Sequence, residues 1–571
     1  MSKRRLPRVA FRAMRNLVAL LFIALLACAP AQPPADSTSM TTTPGTIYIG
    51  GTVVAGADQT PQTNYAIYVE NGVIREVGPA AEIQRAHPIA NTLAVLNGTI
   101  LPGLTDAHGH LYGLGVALDV VNLTGTQSFD EVVARVKERA SRATKGEWIL
   151  GRGWDQNDWP VKEFPTKAAL DAAIPDHPVF LRRVDGHAAV VNSMALRAAN
   201  VTASTKDPEG GRVIRDGNGE PTGVFVDAAM ALVEGSIPPP TPAQRKARVL
   251  ASAQAIAANG LTEMHDAGMD GATITAVREL IDEGKFPIRV YAMLGDNDAL
   301  LNTWFNSGPL ADYGGHLTIR AIKLYADGAL GSRGAALLEP YSDDPGNSGL
   351  MLAKPEHLLD VAQRARAKGF QVNTHAIGDR GVRNVIDAYT TAGVTANERF
   401  RVEHLQVIAP SDVPRLVSRG IIASMQPTHA TSDMPWAERR LGSERVKGAY
   451  AWRTVLNAGG RLALGSDFPV EDVNPFFGIY SAVTRQDQEG NPPGGWFPAQ
   501  RLTLAEAIRG FTKDAAYAAF EEPSRGTIEP GKLADLTIVE GDLFAAPAAQ
   551  LFKTKVLYTV VGGKVVFGAQ K

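Results

Sequence analysis

The feature that most restricts the fold is an alternation that fills the middle of the chain. Short apolar runs such as "PIRVYAML", "LTIRAIKLYA", "FQVNTH", "RFRVEHL", "IIASMQP" and "RLALGSD" are separated by stretches with helical periodicity at 242–259, 271–284, 355–368, 380–391, 410–419 and 448–458. Strands that alternate with helices pair in parallel, because each crossover helix returns the chain to the same end of the sheet. Several runs finish in residues that carry chemistry: His108 and His110 after "LPGLTDA", Lys323 in "AIKLYA", then His375, His404 and Asp467. In a (β/α)8 (TIM) barrel the functional groups sit at the carboxyl ends of the strands. The predicted fold class is therefore α/β, with a (β/α)8 barrel spanning 100–520. A dinucleotide-binding sheet is the rival, but no glycine fingerprint opens a helix after a first strand. The span exceeds the ~250 residues typical of a barrel, so an insertion is expected at about 112–240.

The two ends have a different texture. "TIYIGGTVVAG" and "YAIYVENGVIREVGP" are β-rich with an Asn-Gly turn signal, and "KVLYTVVGGKVVFG" carries a Gly-Gly hairpin signal. The simplest reading joins both ends in one small sheet domain, from 46–99 and 521–571.

Residues 1–16 hold six Lys or Arg and no acid, and 17–27 are apolar throughout. A basic segment followed by a short apolar one reads as an export signal over 1–27; a spanning helix needs about 20 apolar residues. Cys28, the single cysteine, follows "LLA" and resembles the lipidated cysteine of a bacterial lipobox. Residues 28–45, rich in Pro, Ser and Thr, read as a flexible tether. The expected location is the periplasmic side of the cell envelope, with a membrane anchor at Cys28. Net charge is −2, with no basic stripe beyond the N-terminus, so nucleic acid is not an expected partner.

The strand-end residues point to metal chemistry as a group. His108 and His110 are two apart on a strand, so both imidazoles face the same side and can reach one ion. Singly, His375 and His404 have ordinary packing explanations, and Asp467 that of a helix cap. Together they form a donor set suited to zinc and similar ions. No G-x-S-x-G elbow suggests serine catalysis.

At this point a family resemblance is visible. "LPGLTDAHGHL", "THAIGD", "EHLQ", "GSDFPV" and "PGKLADLTIVEGD" resemble the metal-dependent amidohydrolase superfamily. "GHAAVVNSMAL", "IKLYADGALGSRGAAL" and "GSDFPVEDVNPFFGIYSAVTR" are similar to its amidohydrolase-3 branch, which includes N-substituted formamide deformylase. The resemblance implies a (β/α)8 barrel with a small β-sandwich built from both chain ends. It implies two divalent ions, zinc first, with manganese, iron or cobalt accepted by the same donors. One ion would take His108 and His110 and the other His375 and His404, with Asp467 beside the first. Lys323, carboxylated by carbon dioxide, would bridge them; otherwise it reads as a cation facing Asp327 or a substrate carboxylate.

The implied activity is hydrolysis of a non-peptide C–N bond in a linear or N-substituted amide by a metal-activated hydroxide. Asp467 would take the proton and return it to the leaving nitrogen. The metal, His187 or Arg333 could stabilise the anionic intermediate. Alternatives are a cyclic amide or peptide-like substrate, or a catalytically silent envelope binding protein, which the complete donor set argues against. The expected partner is a small-molecule amide, and a homodimer is the default assembly. Trp154, Asp155 and Trp159 could line the pocket, although the tryptophans equally suit the core of the insertion. His265, Asp266 and His429 read as packing residues, and His87, His177, His316 and His357 have no supporting context.

Overall fold

The computed structural model describes residues 44–568 apart from 57, 59, 185, 187, 209 and 210. The signal segment, Cys28, nearly all of the tether, and His187 lie outside the described residues. Eight parallel strands form the barrel: β1 (Leu104–Gly109), β2 (Leu261–Met269), β3 (Arg289–Leu294), β4 (Leu317–Tyr325), β5 (Gln371–Ala376), β6 (Arg401–His404), β7 (Ile422–Met425) and β8 (Leu462–Leu464). Each pairs with its neighbour in sequence, from β1 through to β8. The short strand Leu310–Tyr313 adds an antiparallel edge to β4.

The helices begin where capping chemistry allows. Thr241 and Gln244 form a reciprocal capping box at the start of Pro242–Ala258, and proline at the first helical position has no N–H to leave unpaired. Asp270 caps Gly271–Asp282 through the Thr273 amide. The helix Pro427–Arg445 was not expected from the sequence. It contains Pro435 and breaks at Gly442 (φ 76°), which hides its periodicity.

The ends of the chain do meet. The strand Asn91–Pro102 runs parallel to Thr46–Ala55 and antiparallel to Leu536–Glu540 within one eight-stranded sheet. Both predicted hairpins are present, with positive φ at Asn71 and Gly72 and at Gly562 and Gly563, as their tight turns require. Between β1 and β2 lies a separate six-stranded sheet, from Val121–Asn122 to Pro221–Asp227, with its own apolar core. Trp154 and Trp159 are buried in that core, and their indole N–H groups donate to the Leu181 and Thr126 carbonyls. They pack the insertion and do not line a catalytic pocket.

The Asp106 carboxylate and backbone bonds from the turn after β8, not a strand ladder, join β8 to β1. The Asp106 carboxylate accepts from the amides of His108 and Ser466 and from the Ser466 hydroxyl at 2.7 Å. The Asp467 amide donates to the His108 carbonyl at 2.7 Å. Only glycine fits at 465: a Cβ there would lie 2.5 Å from Asp106 Oδ1 and 2.6 Å from the His108 nitrogen. Gly465→Ala should therefore cost about 1–3 kcal/mol, as overpacking does. It should lower both Tm and metal affinity, because the same contact positions His108 and Asp467. An unchanged melting curve and unchanged metal content would rule out this account of the seam.

Candidate metal centre

His108 lies in β1, His375 in β5 and His404 at the end of β6; His110 follows β1, and Asp467 lies three residues past β8. Parallel pairing brings these ends together, with His375 in register with Glu403 and Ala376 with His404. The His404 ring centre is 4.7 Å from that of His108 and 4.5 Å from that of His375. Asp467 occupies the junction. Its Oδ1 is 3.4 Å from His108 Nε2 and 3.0 Å from His110 Nε2, and its Oδ2 is 3.7 Å from His429 Nε2. Asp467 and His404 both have left-handed backbones, with φ of 64° and 71°. Non-glycine residues adopt that conformation at a cost, and such strain clusters at functional sites.

Two donor groups can be drawn, His108–His110–Asp467 and His404–His429–Asp467, each with ligand atoms within 4.8 Å of one another. His375 stands beside His404 but outside both groups, and His429, read from the sequence as packing, is inside one. The fit to a cation shows in the unsatisfied atoms. His108 Nε2, His375 Nε2 and His429 Nε2 are buried without hydrogen-bond partners, as is Asp467 Oδ1 despite its close imidazoles. Buried polar atoms rarely stay unpaired. Several that converge without hydrogen-bond alignment have the geometry of ligands.

Neighbouring side chains set the tautomers. Glu403 Oε2 lies 2.5 Å from His108 Nδ1, and Gln426 Oε1 lies 2.8 Å from His404 Nδ1. Each acceptor holds the proton on Nδ1 and leaves the Nε2 lone pair facing inward. His429 differs. As placed, Gln406 donates to its Nδ1 at 3.2 Å, so Nε2 carries the proton toward Asp467; a half-turn of that amide reverses the tautomer and frees a lone pair. Neither Glu403, Gln426 nor His429 was singled out from the sequence as a site residue. The strand-end rule does reach His429, for which the sequence favours packing; Glu403 directly precedes His404 and Gln426 follows β7, within reach of the same rule.

The electrostatics suit ligation. Burial, with the charges of Lys323 and His108, pushes His375 down to about 3, and burial with His375 and His108 holds His404 well below its ordinary value. Both imidazoles are therefore neutral and able to ligate. Burial and Lys323 oppose protonation of His108, but Glu403 and Asp467 outweigh them and raise its pKa. Burial opposes ionisation of Asp467, yet His108 and His110 hold it well below the usual carboxylate range. Lys323, in β4, is 1% exposed. Burial lowers its pKa against the pull of Glu403, Asp467 and Asp266.

The remaining sequence candidates separate clearly. Asp327 does not face Lys323: its carboxylate accepts from the Ala336, Ile377 and Gly378 amides and ties the loop after β4 to the end of β5. Arg333 makes a two-point ion pair with Asp343 at 3.1 Å and contacts neither Asp467 nor the histidines. His265 pairs with Arg401, and Asp266 accepts from the Leu111 amide.

Comparison with known proteins agrees with this geometry. The amidohydrolase-3 model, described as the Amidohydrolase family, matches residues 96–567. YtcJ of Bacillus subtilis (strain 168) is 34% identical over 532 residues, covering 91% of this chain and 99% of that protein. N-substituted formamide deformylase of Arthrobacter pascens is 28% identical over 87% of this chain and 94% of its own length. Among solved structures, an uncharacterized metal-dependent hydrolase from Pyrococcus furiosus superposes with a TM-score of 0.73 at 27% identity, covering 87% of this chain and 99% of the other. Family match, barrel and clustered strand-end donors agree: the chain belongs to the amidohydrolase family, in its amidohydrolase-3 branch.

Proposed function

We propose that this protein is a metal-dependent hydrolase that cleaves a non-peptide C–N bond in a linear or N-substituted amide. The observation that carries the reading is Asp467, a buried carboxylate shared by two donor groups, in which its own Oδ1 and the Nε2 atoms of His108 and His429 are buried without hydrogen-bond partners. The similarity to N-substituted formamide deformylase supports the choice of bond.

His108, His110 and Asp467 would hold one divalent ion, and His404, with His375 or His429, a second. Zinc is the first candidate, and manganese, iron and cobalt suit the same donors. Such an ion supplies a lowered water pKa and polarises the scissile carbonyl. The chain does the rest. Glu403 and Gln426 fix the rings of His108 and His404. Asp467, kept ionised by its imidazole neighbours, accepts a proton from the attacking water and returns it to the departing nitrogen. His429, in the tautomer that keeps its proton on Nε2, offers a hydrogen-bond donor beside Asp467.

Lys323 is the proposed carbamate. A buried lysine with a lowered pKa is more readily neutral. Its Nζ can then form a bond to the carbon of carbon dioxide and release one proton, which converts a cation into an oxygen donor. No hydrogen bond or ion pair holds Nζ among the described residues; its one aromatic contact is the Tyr325 ring, 4.5 Å away. The same reading includes export, lipid anchoring at Cys28 and a homodimer, all argued from the sequence. Among the described residues no helix is long and apolar enough to cross a membrane.

Three outcomes are expected. Protein purified without chelators should carry close to two metal equivalents by elemental analysis, and Lys323→Ala should lose metal and activity together, with partial rescue by a short-chain acid; a fully active Lys323→Ala protein would remove the bridging role. Asp467→Asn should lower kcat by about 10²–10⁴-fold, the range of general acid–base catalysis, with metal content measured alongside; wild-type turnover would exclude Asp467 as proton carrier. In metal-free protein, the unfolded chain protonates His375 below about pH 6.5, whereas the folded site resists until about 3. Stability should therefore fall as pH drops through that window, and His375→Asn should flatten the slope of denaturation midpoint against pH.

A further inference from the structure

The barrel interior beneath the metal centre holds an arginine. In (β/α)8 barrels such layers are filled mainly by bulky apolar side chains. Here Arg401, at the start of β6, is fully buried, and its guanidinium reaches across the barrel to β2, four strands away. Its Nη1 donates to His265 Nδ1 at 2.9 Å and to the Ala107 carbonyl at 3.4 Å, and its Nη2 donates to the Ala518 carbonyl at 2.7 Å. The Tyr291 ring lies 5.4 Å from the guanidinium carbon. Among the described residues its hydrogen bonds therefore go to neutral acceptors only. A guanidinium can only donate, so His265 offers a lone pair at Nδ1 and carries its proton on Nε2. Burial and the charge of Arg401 hold that imidazole well below its ordinary pKa, as a neutral acceptor requires. Burying a cation among neutral groups is costly, and an apolar side chain would fill the layer at less cost. The bonds themselves therefore call for an explanation.

They converge on His108. Ala107 directly precedes it on β1. At this level the β1–β2 ladder is irregular, and its register shifts between Met264 and Asp266, opposite Asp106 and Gly109. Such an irregularity re-aims a side chain but weakens the pairing that would fix the strand. Arg401 grips both sides of it at once, Ala107 on β1 and His265 on β2. Glu403, two residues further along β6 and on the same face, takes the His108 ring at Nδ1. Strand β6 thus clamps His108 at two points, through its ring and through the backbone before it, and the same strand ends in His404.

We propose that Arg401, with His265 as its acceptor, is a positioning residue for the metal centre: it fixes the backbone that aims His108 relative to His404. The inference rests on the metal-binding part of the reading above and not on which bond is cleaved.

The test measures zinc affinity by competition with a chelator, and the melting temperature of the metal-free protein, on the full chain. Arg401→Met fills the space and removes the bonds. Replacing a buried charge by an apolar side chain of similar size is often neutral or stabilising, so the metal-free melting temperature should hold or rise. The zinc Kd should nevertheless rise about 10–100-fold, the usual effect of losing a group that orients a ligand. His265→Leu should weaken binding in the same way. His265→Asn, whose amide oxygen can replace Nδ1 as acceptor, should restore it, and this pair decides the matter if Arg401→Met does not fold. In cobalt-loaded protein the visible absorption should shift in Arg401→Met and His265→Leu and stay at the wild-type position in His265→Asn. Wild-type zinc affinity in folded Arg401→Met or His265→Leu protein overturns the proposal. So does a loss of affinity that follows the melting temperature and does not recover in His265→Asn, because the arginine would then be a packing group alone. Wild-type protein that binds no divalent metal removes the metal-centre reading and this inference with it; tight wild-type binding that neither substitution alters removes the inference alone.

Discussion

The site depends on one buried carboxylate that touches no substrate. Asp106 accepts hydrogen bonds from β1 and from the turn after β8, and so closes the barrel where no strand ladder does. His108 and Asp467 belong to the two segments that it joins. Burial raises the Asp106 pKa and the bonds from Ser466 and His108 offset part of that shift, which leaves it at about 6. An apolar residue here would leave those amides unsatisfied, and a longer side chain would separate the seam. Gly465 belongs to the same constraint, because the two backbones approach too closely for a Cβ.

From that seam the electrostatics of the centre follow. The barrel mouth buries His108, His404, His429, Lys323, Glu403 and Asp467, with His375 half-buried beside them, and each charge is set by its neighbours. Glu403 orients His108 and is itself held below its ordinary pKa, since His108 and Arg401 outweigh its burial. His375 and His404 are driven neutral by burial and by adjacent positive groups. At His108 and His404 the inward Nε2 atoms are already oriented by the bonds that the Nδ1 atoms make to Glu403 and Gln426. That preorganisation is what a metal site requires of its surroundings.

Much of this was legible in the sequence. The (β/α)8 order was visible because helical and strand periodicities alternate cleanly, and the strand-end rule picked out His108, His110, Lys323, His375, His404 and Asp467. The union of the chain ends was visible from β texture and two turn signals. Other residues were hidden for identifiable reasons. Glu403 sits inside a strand run and looks like an ordinary alternating polar residue. Gln426 and His429 open a helix whose periodicity Pro435 and Gly442 interrupt. Arg333 drew attention as a cation able to stabilise an anionic intermediate, but Asp343, ten residues on, engages it. The tryptophans at 154 and 159 read equally as pocket walls or as core, because nothing in a linear sequence distinguishes a small second core from a binding site.

The sequence by itself therefore determined which residues stand at the carboxyl ends of parallel strands, because periodicity and strand direction are local properties. The tertiary structure decided which of those residues meet. His429 enters the cluster, Arg333 stays outside, and Asp327 turns to backbone amides. Those outcomes depend on loop paths and on contacts between residues hundreds of positions apart, such as Asp106 with Ser466 and His108 with Glu403. No local pattern encodes such distances; they arise only when the barrel closes.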